Sequence, residues 1–200
     1  MRTFTSWPTW REAEAGLTGR LPPETVEAVR AAVAFAADRH GGQRRPTGVP
    51  YLEHLLEALE VAVAGAGVTG REVLTAIILH DVVEDTPTTI AEVADRHGDR
   101  VAELVGLVTK PPSPADPAAK AAAKRAYLRS LAAAPREAVL VKLADRVSNV
   151  QELHRMPAAF RRRYHRETLG HVLPLAEGEP WFRAWFAGWR EVWRHLEPAP

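Results

Sequence analysis

"AIILHDVVEDT" (76–86) runs three apolar residues, Ile77, Ile78 and Leu79, straight into His80 and Asp81, then passes through Val82 and Val83 to Glu84 and Asp85. Read as one helix, Glu84 lies a turn beyond His80 and Asp85 a turn beyond Asp81. Four ionisable groups then share a narrow stripe of a segment that otherwise reads as core. Burying such groups without a partner is costly, so something must compensate them.

The neighbouring sequence is helical in both directions. "ETVEAVRAAVAFAADRH" (24–40) puts Val26, Val29, Val33 and Ala37 on one face, and Gly41 and Gly42 stop it. A polar loop, "QRRPTGVP", leads to "YLEHLLEALEVAVAGAG", with Pro50 at its start. Thr69 with Glu72, and Thr89 with Glu92, have the spacing of capping boxes. "DRVAELVGLVTK" runs into "PPSPADP", the clearest break in the chain and the expected mobile loop. Further helices are expected over 118–133, 135–154, 157–173 and 180–196. No alternating strand pattern, repeat or sustained heptad interrupts them, so the expectation is an all-α fold, a single domain over 1–200 of eight or nine helices.

Composition narrows the function. With 26 Lys and Arg against 25 Asp and Glu, the net charge of +1 argues against a general nucleic-acid binder. The 46% apolar content is that of a globular chain, and the absence of cysteine removes disulfides, thiolate metal sites and cysteine nucleophiles. The opening "MRTFTSWPTWREAEAG" carries no apolar run of signal-peptide length, and no segment is apolar enough to span a bilayer. A cytoplasmic protein without a membrane partner is expected.

Two more segments place the same residue types on apolar helices: His54 in "PYLEHLLEAL" and Asp145 in "AVLVKLADRVSNV". His54, His80, Asp81 and Asp145 make two imidazoles and two carboxylates from three helices. That set suits a divalent ion such as manganese, iron(II), magnesium or zinc, and coordination would offset the burial of His80 and Asp81. Glu84 and Asp85 would then face water at the ion, to orient it or move protons. Taken singly, each residue has a plainer reading: a hydrogen-bonded core histidine, a capping aspartate, or Arg146 as an ordinary ion-pair partner.

The joint pattern resembles the HD-domain metal phosphohydrolases, and within them the hydrolase domain of the RelA/SpoT-type alarmone enzymes and the stand-alone small alarmone hydrolases. The resemblance runs from about Ala31 to Leu153 and is carried by "GVPYLEH", "ILHDVVEDT", "TIAEVADRHGDRVAELVGLVTK" and "VKLADRVSN", in that order. It implies removal of the 3′-pyrophosphate of ppGpp or pppGpp by water, usually with Mn2+. His54, His80, Asp81 and Asp145 would bind the metal, and Glu84 and Asp85 would take the catalytic water. Asn149 would contact ribose or phosphate, and Arg45 would lie against the guanine face. No synthetase domain is expected beside it.

The sequence also departs from that family. Pro46 stands where long members carry a basic residue, and "NVQE" brings Gln151 and Glu152 where N-x-R-[TD] is usual. Two substrate contacts are thereby in question, which keeps open a hydrolase of another nucleotide and a sensor that binds without turnover. Lys142, Arg146 and Arg44 flank the proposed site and are candidates for phosphate contact. The basic run "RRRYHRET" (161–168) reads first as a solvated helix face. His40 and His97 precede glycines at helix ends, where a histidine interacts favourably with the terminal carbonyls. In the C-terminal extension (157–196), Trp181, Trp185, Trp189 and Trp193 share one face, expected to dock on the domain, with a homodimer contact as the alternative.

Overall fold

The computed structural model describes residues 1–112 and 114–197; Ser113, within the expected "PPSPADP" loop, lies outside the described residues. Eleven α-helical segments and no strand occur among the described residues: α1 (Trp10–Leu17), α2 (Pro23–His40), α3 (Tyr51–Glu60), α4 (Arg71–Leu79), α5 (Val82–Asp85), α6 (Ile90–His97), α7 (Asp99–Val108), α8 (Pro117–Ser130), α9 (Arg136–Val150), α10 (Ala158–Glu167) and α11 (Pro180–Trp193). Proline opens α2, α8 and α11, where its missing N–H costs nothing. Gly41 ends α2 at φ 51°, a left-handed conformation that other residues adopt poorly.

The all-α expectation holds, and the count exceeds eight or nine for two reasons. A short N-terminal helix, α1, forms after Pro8, and the "HDVVED" segment is not one helix. The Nδ1 of His80 bonds the carbonyl of Ile77 at 2.7 Å, the acceptor that the Asp81 amide would use in a continued helix. Asp81 then turns through φ −103°, ψ −3°, and α5 starts afresh. The amide of Asp85 still bonds the carbonyl of Asp81 at 2.9 Å, so the one-turn spacing survives the break.

α4 is the centre of the packing: α2, α3, α7 and α9 all lie against it. Val73 through Leu79 are all buried, which is why this helix is apolar all round rather than striped. Its end therefore carries the pair His80 and Asp81 out of the middle of the core. Thr69 does not cap it. The helix begins after Gly70, no side chain caps it, and the Glu72 carboxylate pairs with Arg71 instead. Thr89 does cap α6, accepting from the Glu92 amide at 3.2 Å.

The tryptophan face packs inward. Trp185, Trp189 and Trp193 are buried, the Trp189 indole donating to the Val150 carbonyl at 3.1 Å and the Trp185 indole to the Arg2 carbonyl at 2.8 Å. The N-terminal segment is pinned by the same region, with the amide of Phe4 donating to Gln151 Oε1 at 2.7 Å and Gln151 Nε2 donating back to the Phe4 carbonyl at 3.0 Å. Gln151 thus serves the fold, and its departure from the family pattern has a structural cause. Gly65 sits beneath the aromatic layer, where an added Cβ would lie 2.5 Å from the Trp181 ring and 3.0 Å from Phe4. Gly65→Ala should lower stability by ~1–3 kcal/mol, the scale of overpacking a core, measurable by denaturant unfolding. An unchanged midpoint would show that the ring moves aside freely.

Candidate metal centre

α3, the end of α4 and α9 deliver His54, His80 with Asp81, and Asp145 to one point. His54 Nε2 lies 3.6 Å from Asp81 Oδ2 and 3.5 Å from Asp145 Oδ1; His80 Nε2 lies 3.0 and 3.5 Å from the same two oxygens. His54, His80 and Asp145 are buried, and Asp81 is partly open to a cavity of about 220 Å3.

Hydrogen bonding fixes which imidazole nitrogens face inward. His80 Nδ1 must carry its proton, because the Ile77 carbonyl only accepts. Ser148 donates its one hydroxyl proton to Glu57 at 2.6 Å, so its oxygen accepts from His54 Nδ1 at 2.8 Å. Both Nε2 atoms are then left toward the carboxylates. The Nε2 of His80 is fully buried and makes no hydrogen bond among the described residues, despite two carboxylate oxygens nearby. Two inward imidazole lone pairs beside two carboxylates fit a divalent cation.

The electrostatics agree. Burial alone would raise the carboxyls of Asp81 and Asp145, yet His80 beside Asp81 and Lys142 beside Asp145 hold both well below the usual range. Burial would also lower His80, but the two carboxylates outweigh it and lift its pKa to about 10.

Glu84 and Asp85 line the same cavity. Glu84 is not free, since Lys110 Nζ contacts its two oxygens at 2.7 and 3.0 Å. Asn149 bridges the centre to Arg45: its amide donates to Asp145 Oδ1, and its carbonyl oxygen accepts from Arg45 at 3.1 Å. Arg45 also pairs with the buried Glu57 at 3.0 Å. Arg45, whose side chain is only 11% exposed, is thereby fixed in a small cleft beside the centre.

The other sequence candidates fare differently. Lys142 and Arg146 line the cavity but are already engaged, Lys142 with Asp145 at 2.6 Å and Arg146 with Glu167 at 2.7 Å. Arg44 is not among the residues lining the cavity and instead donates to the Gly48 carbonyl at 2.7 Å. His40 is held by Gln43 and stacks on Tyr51, and burial lowers the His97 pKa. Sequence reasoning missed Tyr51, whose hydroxyl donates to Asp81 Oδ2 at 2.5 Å, and Ser148, Glu57, Lys110 and Lys124. Tyr51 stands three residues before His54, close enough to share its helix face, a signal the sequence did contain.

An all-helical core that brings two histidines and two aspartates together from three helices, one histidine and one aspartate adjacent in sequence, defines a metal-centre class, and comparison with known proteins agrees. A family model described as "HD domain" matches residues 32–179. The chain is 38% identical over 155 residues to guanosine-3′,5′-bis(diphosphate) 3′-pyrophosphohydrolase of Aquifex aeolicus (strain VF5), covering 77% of this chain and 22% of that protein. It is 39% identical over 126 residues to the Mus musculus guanosine-3′,5′-bis(diphosphate) 3′-pyrophosphohydrolase MESH1, covering 62% of this chain and 68% of the mouse protein. A solved structure, described as a metazoan ortholog of SpoT that hydrolyzes ppGpp and plays a role in starvation responses, superposes with a TM-score of 0.75 at 27% identity. It covers 85% of this chain and 97% of its own. The chain belongs to the HD-domain family. It spans about a fifth of the length of the long bacterial relatives. No described helix is long and apolar enough to cross a membrane.

Proposed function

We propose that the chain hydrolyses the 3′-pyrophosphate of guanosine tetra- or pentaphosphate, yielding GDP or GTP and pyrophosphate, with Mn2+ held by His54, His80, Asp81 and Asp145. The observation that carries this reading is the convergence of two inward Nε2 atoms and two carboxylates on a cavity also lined by Lys110, Lys124, Lys142 and Arg146. A bound divalent ion would supply Lewis acidity toward a phosphoryl oxygen and toward water. The chain's own residues do the rest. Asp85 and Glu84 face the cavity where water must enter, and as carboxylates they accept its proton. The water oxygen bonds to the phosphorus nearest the ribose, the bond from that phosphorus to O3′ breaks, and O3′ takes up the proton the carboxylates received. Arg45, held by Glu57 and Asn149 beside the centre, is the residue assigned to the guanine.

A second reading, hydrolysis of another nucleotide by the same centre, rests on Pro46, which removes a cation beside Arg45. Gln151 no longer supports it, since that side chain holds Phe4. The test is purified protein with manganese against ppGpp, pppGpp, NADPH and deoxynucleoside triphosphates, with products resolved by chromatography. Pyrophosphate and GDP from ppGpp, at rates well above the other substrates, are expected. Turnover of another member of the panel and not of ppGpp would establish the second reading, and ppGpp binding without pyrophosphate release would establish a sensor.

A further inference from the structure

Arg161, Arg162, Arg163 and Arg166 lie on α10, and Arg125 and Arg129 on α8. None of these six has a carboxylate within ion-pair distance among the described residues; otherwise the same holds only for Arg2, Arg20, Arg44, Lys120 and Arg183. All six but Arg161 are exposed. α8 contains no acidic residue, and the one on α10, Glu167, is engaged by Arg146 and by Lys124, the pair that joins the two helices. Arg162 with Arg166, and Arg125 with Arg129, stand four residues apart on their helices, where like charges repel. The net charge of +1 hides this face, because the rest of the chain is correspondingly acidic.

Unneutralised cations at this density call for an anion with many charges, and the chemistry of the face says which. A helix that binds a membrane inserts apolar side chains beside its cations. A protein interface has a desolvated, more apolar centre. The large apolar side chains exposed among the described residues are Met1, Ile90, Leu107 and Val192, and none stands on α8 or α10. The face offers guanidinium forks instead, whose paired N–H groups fit phosphate oxygens. Their spacing along two adjoining helices suits phosphates that repeat along a chain. We infer that the arginine face of α8 and α10 binds the phosphate backbone of a nucleic acid, by charge and without reading its sequence. The inference does not rest on the hydrolase reading, since none of the six arginines lines the metal cavity.

The test is fluorescence anisotropy of a labelled single-stranded RNA of mixed sequence, titrated with the full chain over a range of salt concentrations. The logarithm of affinity should fall against the logarithm of salt with a slope of about −0.7 per phosphate contacted. Arg162→Gln/Arg166→Gln and, separately, Arg125→Gln/Arg129→Gln should each weaken binding about tenfold at low salt and flatten the slope by about 1.4, the value for two lost contacts. Arg20→Gln/Arg183→Gln removes the same charge outside the two helices and should leave affinity and slope close to wild type. Thermal unfolding checks each variant, and a misfolded pair on one helix leaves the pair on the other to decide. No RNA binding by wild type, or an equal loss in the control variant, would overturn the inference. Polyglutamate competing as well as unlabelled RNA would overturn it in favour of an acidic protein, and phosphatidylserine vesicles doing so would overturn it in favour of a membrane. A raised KM for ppGpp in the α10 variant with RNA binding intact would assign those arginines to the substrate instead and overturn it too.

Discussion

Asp81→Asn should remove tight divalent-metal binding and abolish turnover, while leaving the fold in place. The substitution is isosteric, so the oxygen that accepts from Tyr51 can persist and the turn between α4 and α5 keeps its shape. What is lost is the negative charge 3.0 Å from His80 Nε2 and 3.6 Å from His54 Nε2. A neutral amide is a poor ligand for a hard cation, and changes merely behind a ligand already cost ~10–100-fold in affinity, so loss of the ligand itself should exceed that. Metal analysis after gel filtration, with thermal unfolding as the control for folding, measures the effect. Full occupancy in an Asp81→Asn, His54→Ala double variant would reject the centre.

The same centre carries a pH signature. Asp81 and Asp145 outweigh the cost of burial at His80 and raise its pKa to about 10. A metal needs the neutral imidazole, so binding must expel its proton throughout the neutral range, and apparent affinity should rise about tenfold per pH unit there. Calorimetry in buffers of different ionisation enthalpy counts the released proton. Metal binding with no proton released would remove His80 from the ligand set.

The metal set was legible in the sequence because it violates the local pattern. A histidine among Leu52, Leu55 and Leu56, a His-Asp pair after Ile77, Ile78 and Leu79, and an aspartate after Leu140, Val141 and Leu143 are each expensive where they stand. One shared compensation explains all three. The helical class was legible for the ordinary reason that apolar residues recur at helical spacing. The remainder depends on partners that spacing along the chain does not report. Gln151 reads as a departure in a substrate motif until Phe4, 147 residues away, is seen bonded to both ends of its amide. Glu57 looks like a solvated helix residue until Ser148 and Arg45 enclose it; even with both, burial raises its pKa. The break at His80 was hidden because a side chain, not a proline or glycine, interrupts the backbone ladder.

Asp85→Asn and Glu84→Gln should each lower kcat by ~10²-fold or more with metal still bound, the range for removing a positioned acid or base. Neither side chain is among the four inward-facing ligand groups, and both line the cavity open to water and substrate, so the loss belongs to proton transfer and not to assembly of the centre. The two variants should differ in KM. No ion pair involves Asp85 among the described residues, so its amide leaves substrate binding nearly unchanged. Glu84 holds Lys110 through contacts at 2.7 and 3.0 Å, and its neutralisation releases that ammonium group at the wall of the metal cavity. A freed cation beside a pyrophosphate strengthens ground-state binding, so Glu84→Gln should combine the fall in kcat with an unchanged or lower KM. Steady-state kinetics with saturating manganese, alongside single-turnover measurements that isolate the chemical step, separate these outcomes. Wild-type kcat in either variant would strip that residue of its proton-transfer role. A raised KM at unchanged kcat in Glu84→Gln would show instead that the carboxylate only keeps Lys110 in place for the substrate.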